Sequence, residues 1–303
     1  MTNINELKNF SKDIQGKIFF DYNLKKTNWF NIGGVAPVYF KPESLNELIS
    51  FLKRFGSKEK IFLLGAGSNV LINDGIFQGI VIKLGKKFSN ISQLSDTTLV
   101  AGSAATDRQV SEFACESHLG GFEFLSCIPG TIGGGLKMNS GCFEREFKDV
   151  LLSIQAIDNT GKILTIPSSK INFVYRGNNL GKNLIFLSAS FKGKIGDKSI
   201  IQNKINELKF KKNQSQPTKI KTGGSTFKNP INQTKEKAWE LIKKSVPLDT
   251  KFGDAGISEK HCNFFVNKKD ASFKDMKNLI DFVKNSVKSK TGIDIETEIE
   301  IIK

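Results

Sequence analysis

Apolar positions in the first half of the chain fall into short runs, and two of these runs end in glycine clusters. Lys60 to Leu64 leads into Gly65-Ala66-Gly67-Ser68-Asn69, and Phe122 to Ile128 leads into Pro129-Gly130-Thr131-Ile132-Gly133-Gly134-Gly135. The first run is too short for a helix and predicts a buried strand. After it, Val70-Leu71-Ile72, Asn73-Asp74-Gly75 and Ile80 to Leu84 predict strand, turn and strand. Ser44 with Glu47 is a capping-box pattern predicting a helix through Phe55, and Thr106 with Gln109 predicts a second helix ending at Gly120-Gly121. Val150 to Ile157 and Lys162 to Ile166 flank Asp158-Asn159-Thr160-Gly161 and predict a hairpin. A lysine- and glutamine-rich stretch, Phe210 to Pro217, marks a boundary. Beyond it the pattern predicts a helix around Lys235 to Ser245, a strand at Asn263 to Val266, a helix from Ser272 to near Gly292, and a strand in the alternating residues Asp294 to Ile302. There is no internal repeat.

The glycine clusters carry the first chemical signal. Glycine admits positive φ and close backbone approach, so successive N–H groups can converge on an anion, and together the clusters form a two-sided phosphate cradle. A dinucleotide fingerprint of the Rossmann type is excluded at the first cluster, because the strand-turn-strand pattern after it leaves no room for a helix. The phosphates are therefore expected on loops between strands.

Composition narrows the class. With 303 residues and 39% hydrophobic content, the chain can bury a substantial core and is expected to form two or three modules. The opening Met1-Thr2-Asn3-Ile4-Asn5 lacks the succession of a signal peptide, and no apolar run spans a bilayer, so a cytoplasmic protein without membrane insertion is expected. Cys115, Cys127, Cys142 and Cys262 show no C-x-x-C spacing, and with His118 and His261 as the two histidines no metal site is expected; buried, reduced thiols are the better reading. The formal charge of +15 raises nucleic acid as a partner, yet only Arg54, Arg108, Arg145 and Arg176 of 45 basic residues are arginine, without aromatic platforms. Coding-sequence composition accounts for the scattered lysines, and a phosphate-rich substrate would also welcome them.

At Gly223-Gly224-Ser225-Thr226-Phe227-Lys228-Asn229-Pro230 the reading becomes particular. With the two glycine clusters, Tyr175-Arg176 and Glu298-Ile299, this segment resembles the UDP-N-acetylenolpyruvoylglucosamine reductase family of flavoenzymes, in order and from about Asn28 onward. The resemblance implies an α+β protein. It would have a two-subdomain FAD-binding domain of the vanillyl-alcohol-oxidase (PCMH) type and a smaller α/β substrate-binding domain. The implied limits are 1–85 with 294–303 returning to it, 86–210, and 211–293. It also implies noncovalent FAD, NADPH as hydride donor, and a monomer reducing UDP-N-acetylglucosamine enolpyruvate to UDP-N-acetylmuramate for peptidoglycan.

The resemblance further assigns residues. Gly65, Ala66, Gly67, Ser68 and Asn69 with Gly130, Thr131, Ile132, Gly133 and Gly134 would contact the FAD diphosphate, and Asn139 and Gly141 would line the flavin. Asn31-Ile32-Gly33-Gly34 and Ala36 match an upstream motif beside the cofactor. Gly135, Ser140 and Cys142-Phe143-Glu144 depart from the family pattern, alanine being usual at the first two. Arg176 would grip the enolpyruvyl carboxylate with forked donors, Ser225 would protonate C2, and Glu298 would polarise the intermediate. Tyr175, Asn229, His261, Asn263 and Lys219, or alternatively Lys221, would bind substrate. Read without the family, Tyr-Arg is an exposed arginine, Gly-Gly-Ser-Thr a turn, and Glu296, Glu298 and Glu300 the wet face of a strand. Only 49 positions separate Arg176 from Ser225, so the chain resembles the branch without a tyrosine-bearing flap. The alternative enzyme is an FAD-dependent alcohol or hydroxy-acid oxidase or dehydrogenase on the same flavin fold, which has a larger substrate domain and no use for Gly-Ser-Thr-Phe-Lys-Asn-Pro.

Overall fold

The computed structural model describes residues 4–181, 183–217 and 220–303. It has mixed α+β content in two compact units. One unit comprises Met1–Tyr22, Ala36–Ala66 and Gln78–Lys211, and the other Asn23–Val35, Gly67–Phe77 and Lys212–Lys303.

In the first unit Ile80–Ile82 lies between Val35–Lys41 and Ile61–Leu63, parallel to both, with Lys17–Asn23 beyond Val35–Lys41. All of Ile80–Ile82 is buried, as a central parallel strand requires. Ile61–Leu63 occupies the sheet edge and is only half-buried, less than the run of apolar residues implies. Helix Leu45–Phe51 starts at Ser44, whose hydroxyl accepts the Glu47 N–H at 3.3 Å, then widens into a π turn over Leu52–Gly56. The reciprocal half of the capping box is not made, because the Glu47 carboxylate accepts the N–H groups of Gln15, Gly16 and Glu43. Phe40 and Phe51 stack with ring centroids 4.3 Å apart, and Phe10 meets Phe51 edge-on. Burying each such ring stabilises the fold by about 1.5–3 kcal/mol relative to exposure.

The same unit holds an antiparallel five-stranded sheet in the order Ile163–Pro167, Leu151–Ile157, Ile185–Lys192, Thr98–Gly102 and Ile91–Ser95, which contains the expected hairpin. Helix Asp107–Glu116 has both halves of its capping box. It stops before Gly120 because His118 takes φ +57° and Leu119–Gly120 pairs with Lys194–Ile195. Helix Lys198–Ser215 was not expected; it buries Ile201, Ile205 and Leu208, and Asp197 accepts the N–H groups of Ser199 and Ile200 at its start. The limit between the units falls inside this helix, after Lys211.

The second unit has an antiparallel meander of Lys251–Phe252, Ala255–Ile257 and Phe265–Asn267, and helices Ala238–Ser245 and Phe273–Thr291. Leu241, Phe265, Leu279 and Val283 are among its fully buried core residues. The longer helix runs from a complete Ser272/Asp275 capping box to Gly292 at φ +73°, as its terminal residues imply. Of the alternating residues Asp294 to Ile302, only Glu300–Ile302 is regular strand, pairing in parallel with Val70–Ile72, while Thr297 makes a single bridge to Phe227.

Candidate active site

Gly65 and Ala66, the start of the first glycine cluster, lie with the second cluster in the first unit. Gly65 follows strand Ile61–Leu63, and a methyl group on it would lie 2.9 Å from Thr131 Oγ1. The N–H groups of Gly65 and Ala66 make no hydrogen bond among the described residues. On the other side, Ile132 and Gly133 donate to the Ala105 and Ser103 carbonyls, both at 2.9 Å, fixing the second cluster. This cluster is not wholly loop, as expected, because Ile132–Met138 forms a helix N-capped by Thr131.

The second cluster has no room for side chains on its inner side. A Cβ on Gly130 would lie 2.7 Å from Asp107 Oδ2, one on Gly133 3.1 Å from Ser103 Cβ, and one on Gly135 2.4 Å from the Phe147 ring. Ser103 Oγ, Ser140 Oγ and both Asp107 carboxyl oxygens beneath it are buried without hydrogen-bond partners among the described residues. Burial pushes the Asp107 carboxyl well above the usual range, disfavouring a negative charge under the cluster. The unspent N–H donors of Gly65 and Ala66 beside a second glycine-rich segment fit a diphosphate-bearing cofactor.

Asn139 ends the glycine helix in the left-handed conformation at φ +40° and is fully buried. Its Nδ2 donates to Glu146 Oε2 at 3.1 Å and to the Val174 carbonyl at 3.2 Å, while its Oδ1 accepts the Lys148 N–H at 3.1 Å. The side chain expected to line a flavin is thus spent inside the protein. Gly141 lies in a tight hairpin where a Cβ would meet the Arg145 carbonyl at 2.4 Å. Phe173–Val174 and Gly177–Asn178 pair around a two-residue turn, Tyr175-Arg176. Arg176 has φ +59°, a conformation costly for a long side chain, and its guanidinium lies 4.9 Å from the Tyr175 ring centroid.

The second unit gathers the other group. Segment Thr222 to Lys228 runs between Asn263–Asn267 and Glu296–Glu298. Thr226 donates its N–H to the Asn263 carbonyl at 2.7 Å, and its own carbonyl accepts the Glu298 N–H at 2.8 Å. Ser225 bridges to Phe264 and is half-buried. Of the three alternating glutamates, Glu296 and Glu300 are exposed and Glu298 is half-buried. Asn69 Nδ2 donates to the Glu298 carbonyl at 3.1 Å, and Asn69 accepts the Glu300 N–H at 2.9 Å, so this cluster-one residue braces the glutamate strand. Gly67, at φ +70°, approaches Thr27 so closely that a Cβ would sit 2.3 Å from its carbonyl oxygen. Ser68 is half-buried beside it.

Three expected ligand residues have internal work. Both amide groups of Asn263 pair with the backbone of Phe227, at 3.0 and 2.9 Å, which also explains why the strand begins later, at Phe265. Asn229 Oδ1 accepts the Ala238 N–H at 3.0 Å, at the start of a helix. His261 Nδ1 accepts the Asn263 N–H at 3.2 Å, leaving the hydrogen on Nε2, and burial lowers its basicity, so it is neutral. Lys219 lies outside the described residues; Lys221 Nζ donates to the Lys269 carbonyl at 2.6 Å. Among the described residues, no cluster of His, Cys, Asp and Glu could hold a metal ion, and no helix is long and apolar enough to cross a membrane.

A curated UDP-N-acetylenolpyruvoylglucosamine reductase from Pelagibacter ubique is 64% identical over 99% of both chains. The chain belongs to the UDP-N-acetylenolpyruvoylglucosamine reductase family. The reductase of Rickettsia conorii is 45% identical, over 95% of this chain and 97% of its own. Residues 216–302 match the family's C-terminal domain, and residues 36–167 match an FAD binding domain. The crystal structure of the reductase from Thermus caldophilus superposes with a TM-score of 0.81 at 26% identity, covering 96% of this chain and all of that one. Within this reductase family member, the motif order pointed to Ser225, Glu298 and Arg176, but not to Ser103, Asp107 or Asn178. A short buried polar residue beside glycine has no pattern of its own in a sequence; only Asp107, one residue after the Thr106 cap, sat where a signal could be sought.

Proposed function

We propose that the chain is an NADPH-dependent, FAD-containing reductase that converts UDP-N-acetylglucosamine enolpyruvate to UDP-N-acetylmuramate, as a cytoplasmic monomer supplying peptidoglycan synthesis. When bound, FAD supplies hydride transfer from NADPH to C3 of the enolpyruvyl group. Gly65, Ala66, Gly67 and Ser68 would hold its diphosphate by backbone donors, the Gly130 to Gly134 segment would let it approach closely on the other side, and Asn139 and Gly141 would contribute backbone alone.

The substrate chemistry then assigns each side chain a task. Negative charge develops on C2 and the carboxylate, and the Arg176 fork stabilises it with paired, charge-assisted hydrogen bonds. Ser225 delivers the proton to C2, and Glu298 polarises that developing centre. His261, as a neutral Nε2–H donor, and Tyr175 orient substrate; Asn263 and Asn229 act through the segments they brace. Lys219 is kept as a candidate partner of the diphosphate. The stretch between Arg176 and Ser225, with strand Ile185–Lys192 and helix Lys198–Ser215, supports the branch without a flap.

One observation carries this reading: the 2.8 Å bond from Glu298 N–H to the Thr226 carbonyl ties the expected carboxylate to the residue next to the expected proton donor. The test is the visible spectrum of Ser225→Ala under anaerobic conditions. NADPH should bleach the variant as fast as the parent, and subsequent enolpyruvyl substrate should restore colour at least about a hundredfold more slowly, the lower bound for a lost general acid. Equal recovery in both proteins removes Ser225 from proton delivery, and no bleaching in either rejects the flavin reading itself.

A further inference from the structure

Arg176 sits in a conformation that its side chain disfavours, and such strain persists only where surrounding contacts over-determine it. Contacts on both arms of its turn lead to one helix. Val174, on the arm before the turn, has its carbonyl held by Asn139 Nδ2 at 3.2 Å. Asn178, on the arm after it, donates through Nδ2 to the Leu136 and Lys137 carbonyls at 2.9 and 3.1 Å, and its Oδ1 accepts the Leu180 N–H at 3.0 Å. Leu136, Lys137 and Asn139 form the C-terminal end of the seven-residue helix whose first turn is the glycine cluster Ile132-Gly133-Gly134.

Both arms of the arginine hairpin are therefore bonded to the last turn of this helix. The Lys137 carbonyl that Asn178 caps is among those a helix end leaves without an intrahelical partner, and the Leu136 carbonyl also accepts the Asn139 N–H at 3.2 Å, so the bonds serve the helix as well as the hairpin. Glu146, which also accepts from Asn139, forms an ion pair with Lys148 at 2.8 Å and fixes the asparagine from its other side.

We infer that Asn139 and Asn178 are positioning residues for Arg176, clamping its strained turn to the helix that carries the second glycine cluster. The inference rests on the proposed role of Arg176 for its catalytic consequence, but the clamp itself does not. Tight placement matters for a forked donor, because both N–H groups must meet the carboxylate together. A hairpin secured on one arm only could tilt the fork while leaving the glycine cluster intact.

Asn178→Asp isolates the effect, since it keeps the acceptor for Leu180 and the side-chain volume but removes the donors to the helix. The parent and the variant, both flavin-loaded, are compared by amide hydrogen exchange across 173–178, by FAD affinity, and by KM for the enolpyruvyl substrate. Exchange at Gly177 and the KM should each rise about tenfold, the scale of one lost hydrogen bond, with FAD affinity within about twofold of the parent. In an Arg176→Ala background the same substitution should add less than about twofold to KM, because the two act through one group. Unchanged hairpin exchange, or KM penalties that multiply, overturns the proposal. If Arg176→Ala alone leaves KM and turnover at parent values, the substrate role of Arg176 fails, and the exchange experiment still decides the clamp. Should Asn178→Asp not fold, Asn178→Ser, which removes the amide donors without introducing charge, gives the same readouts.

Discussion

Asp107 is fully buried, and neither of its carboxyl oxygens has a partner among the described residues. Burial alone raises its pKa, and the sign of the consequence is definite. The unfolded chain ionises this group near pH 3.9, whereas the folded protein keeps it protonated to higher pH. Its stabilising balance is thus complete below that pH and is lost as pH rises toward the folded value, at a limiting slope of about 1.4 kcal/mol per unit. Asp107→Asn should therefore gain in Tm over the parent as pH is raised from 4 to 8. A Tm difference that stays constant over that range would mean the carboxyl is already satisfied or ionised. At this scale legibility was uneven. Glu298 was singled out by motif order, and burial separates it independently from exposed Glu296 and Glu300. An asparagine in a motif looks the same in sequence whether its amide faces a substrate or pairs with a neighbouring backbone, as the amides of Asn263 and Asn139 do.

The helix Ile132–Met138 shows why elements are harder to read than their ends. Three successive glycines each disfavour helix by about 1 kcal/mol relative to alanine, so a loop was the natural expectation. Tertiary packing reverses it: Thr131 caps one end, Asn139 the other, and Phe147 fills the space against Gly135. Gly135→Ala sets these effects in opposition. The propensity gain of about 1 kcal/mol is smaller than the about 1–3 kcal/mol that overpacking against the Phe147 ring costs. Chemical denaturation should show net destabilisation, and Gly135→Ala with Phe147→Leu should lose less than the two single changes summed. Additive losses would show that the ring and the glycine are not in competition. Ser272 and Gly292 announced their helix because caps are local chemistry. Helix Lys198–Ser215 escaped because Ile201, Ile205 and Leu208 make a narrow stripe among lysines and polar residues.

For the whole molecule, the surplus of 45 basic over 30 acidic side chains sits mostly in solvent, where pairs such as Lys198–Glu116 and Lys288–Asp294 contribute little. A bound cofactor should count for more. At a free FAD concentration a hundredfold above Kd, the folded state gains about 2.7 kcal/mol, so deflavination should lower Tm and added FAD restore it; an unchanged melting curve would contradict the proposed cofactor. The α+β class and the motif order were legible from the chain, whereas the grouping of 23–35 and 67–77 with residues after Lys211 was not, since it depends on pairings remote in sequence. Those pairings bear on how the protein is made. Asn69 and Glu298, joined by a hydrogen bond, are 229 residues apart, and Phe30 and Asn267 are 237 apart. At roughly 5–20 residues per second on the ribosome, the early partner waits about 10–50 s for the late one. For most of that interval Phe30 and Leu71, both fully buried at the end, wait for core partners that begin only at Phe227. The pace of translation, as much as the contacts finally made, sets how long these side chains are open to chaperones or to aggregation.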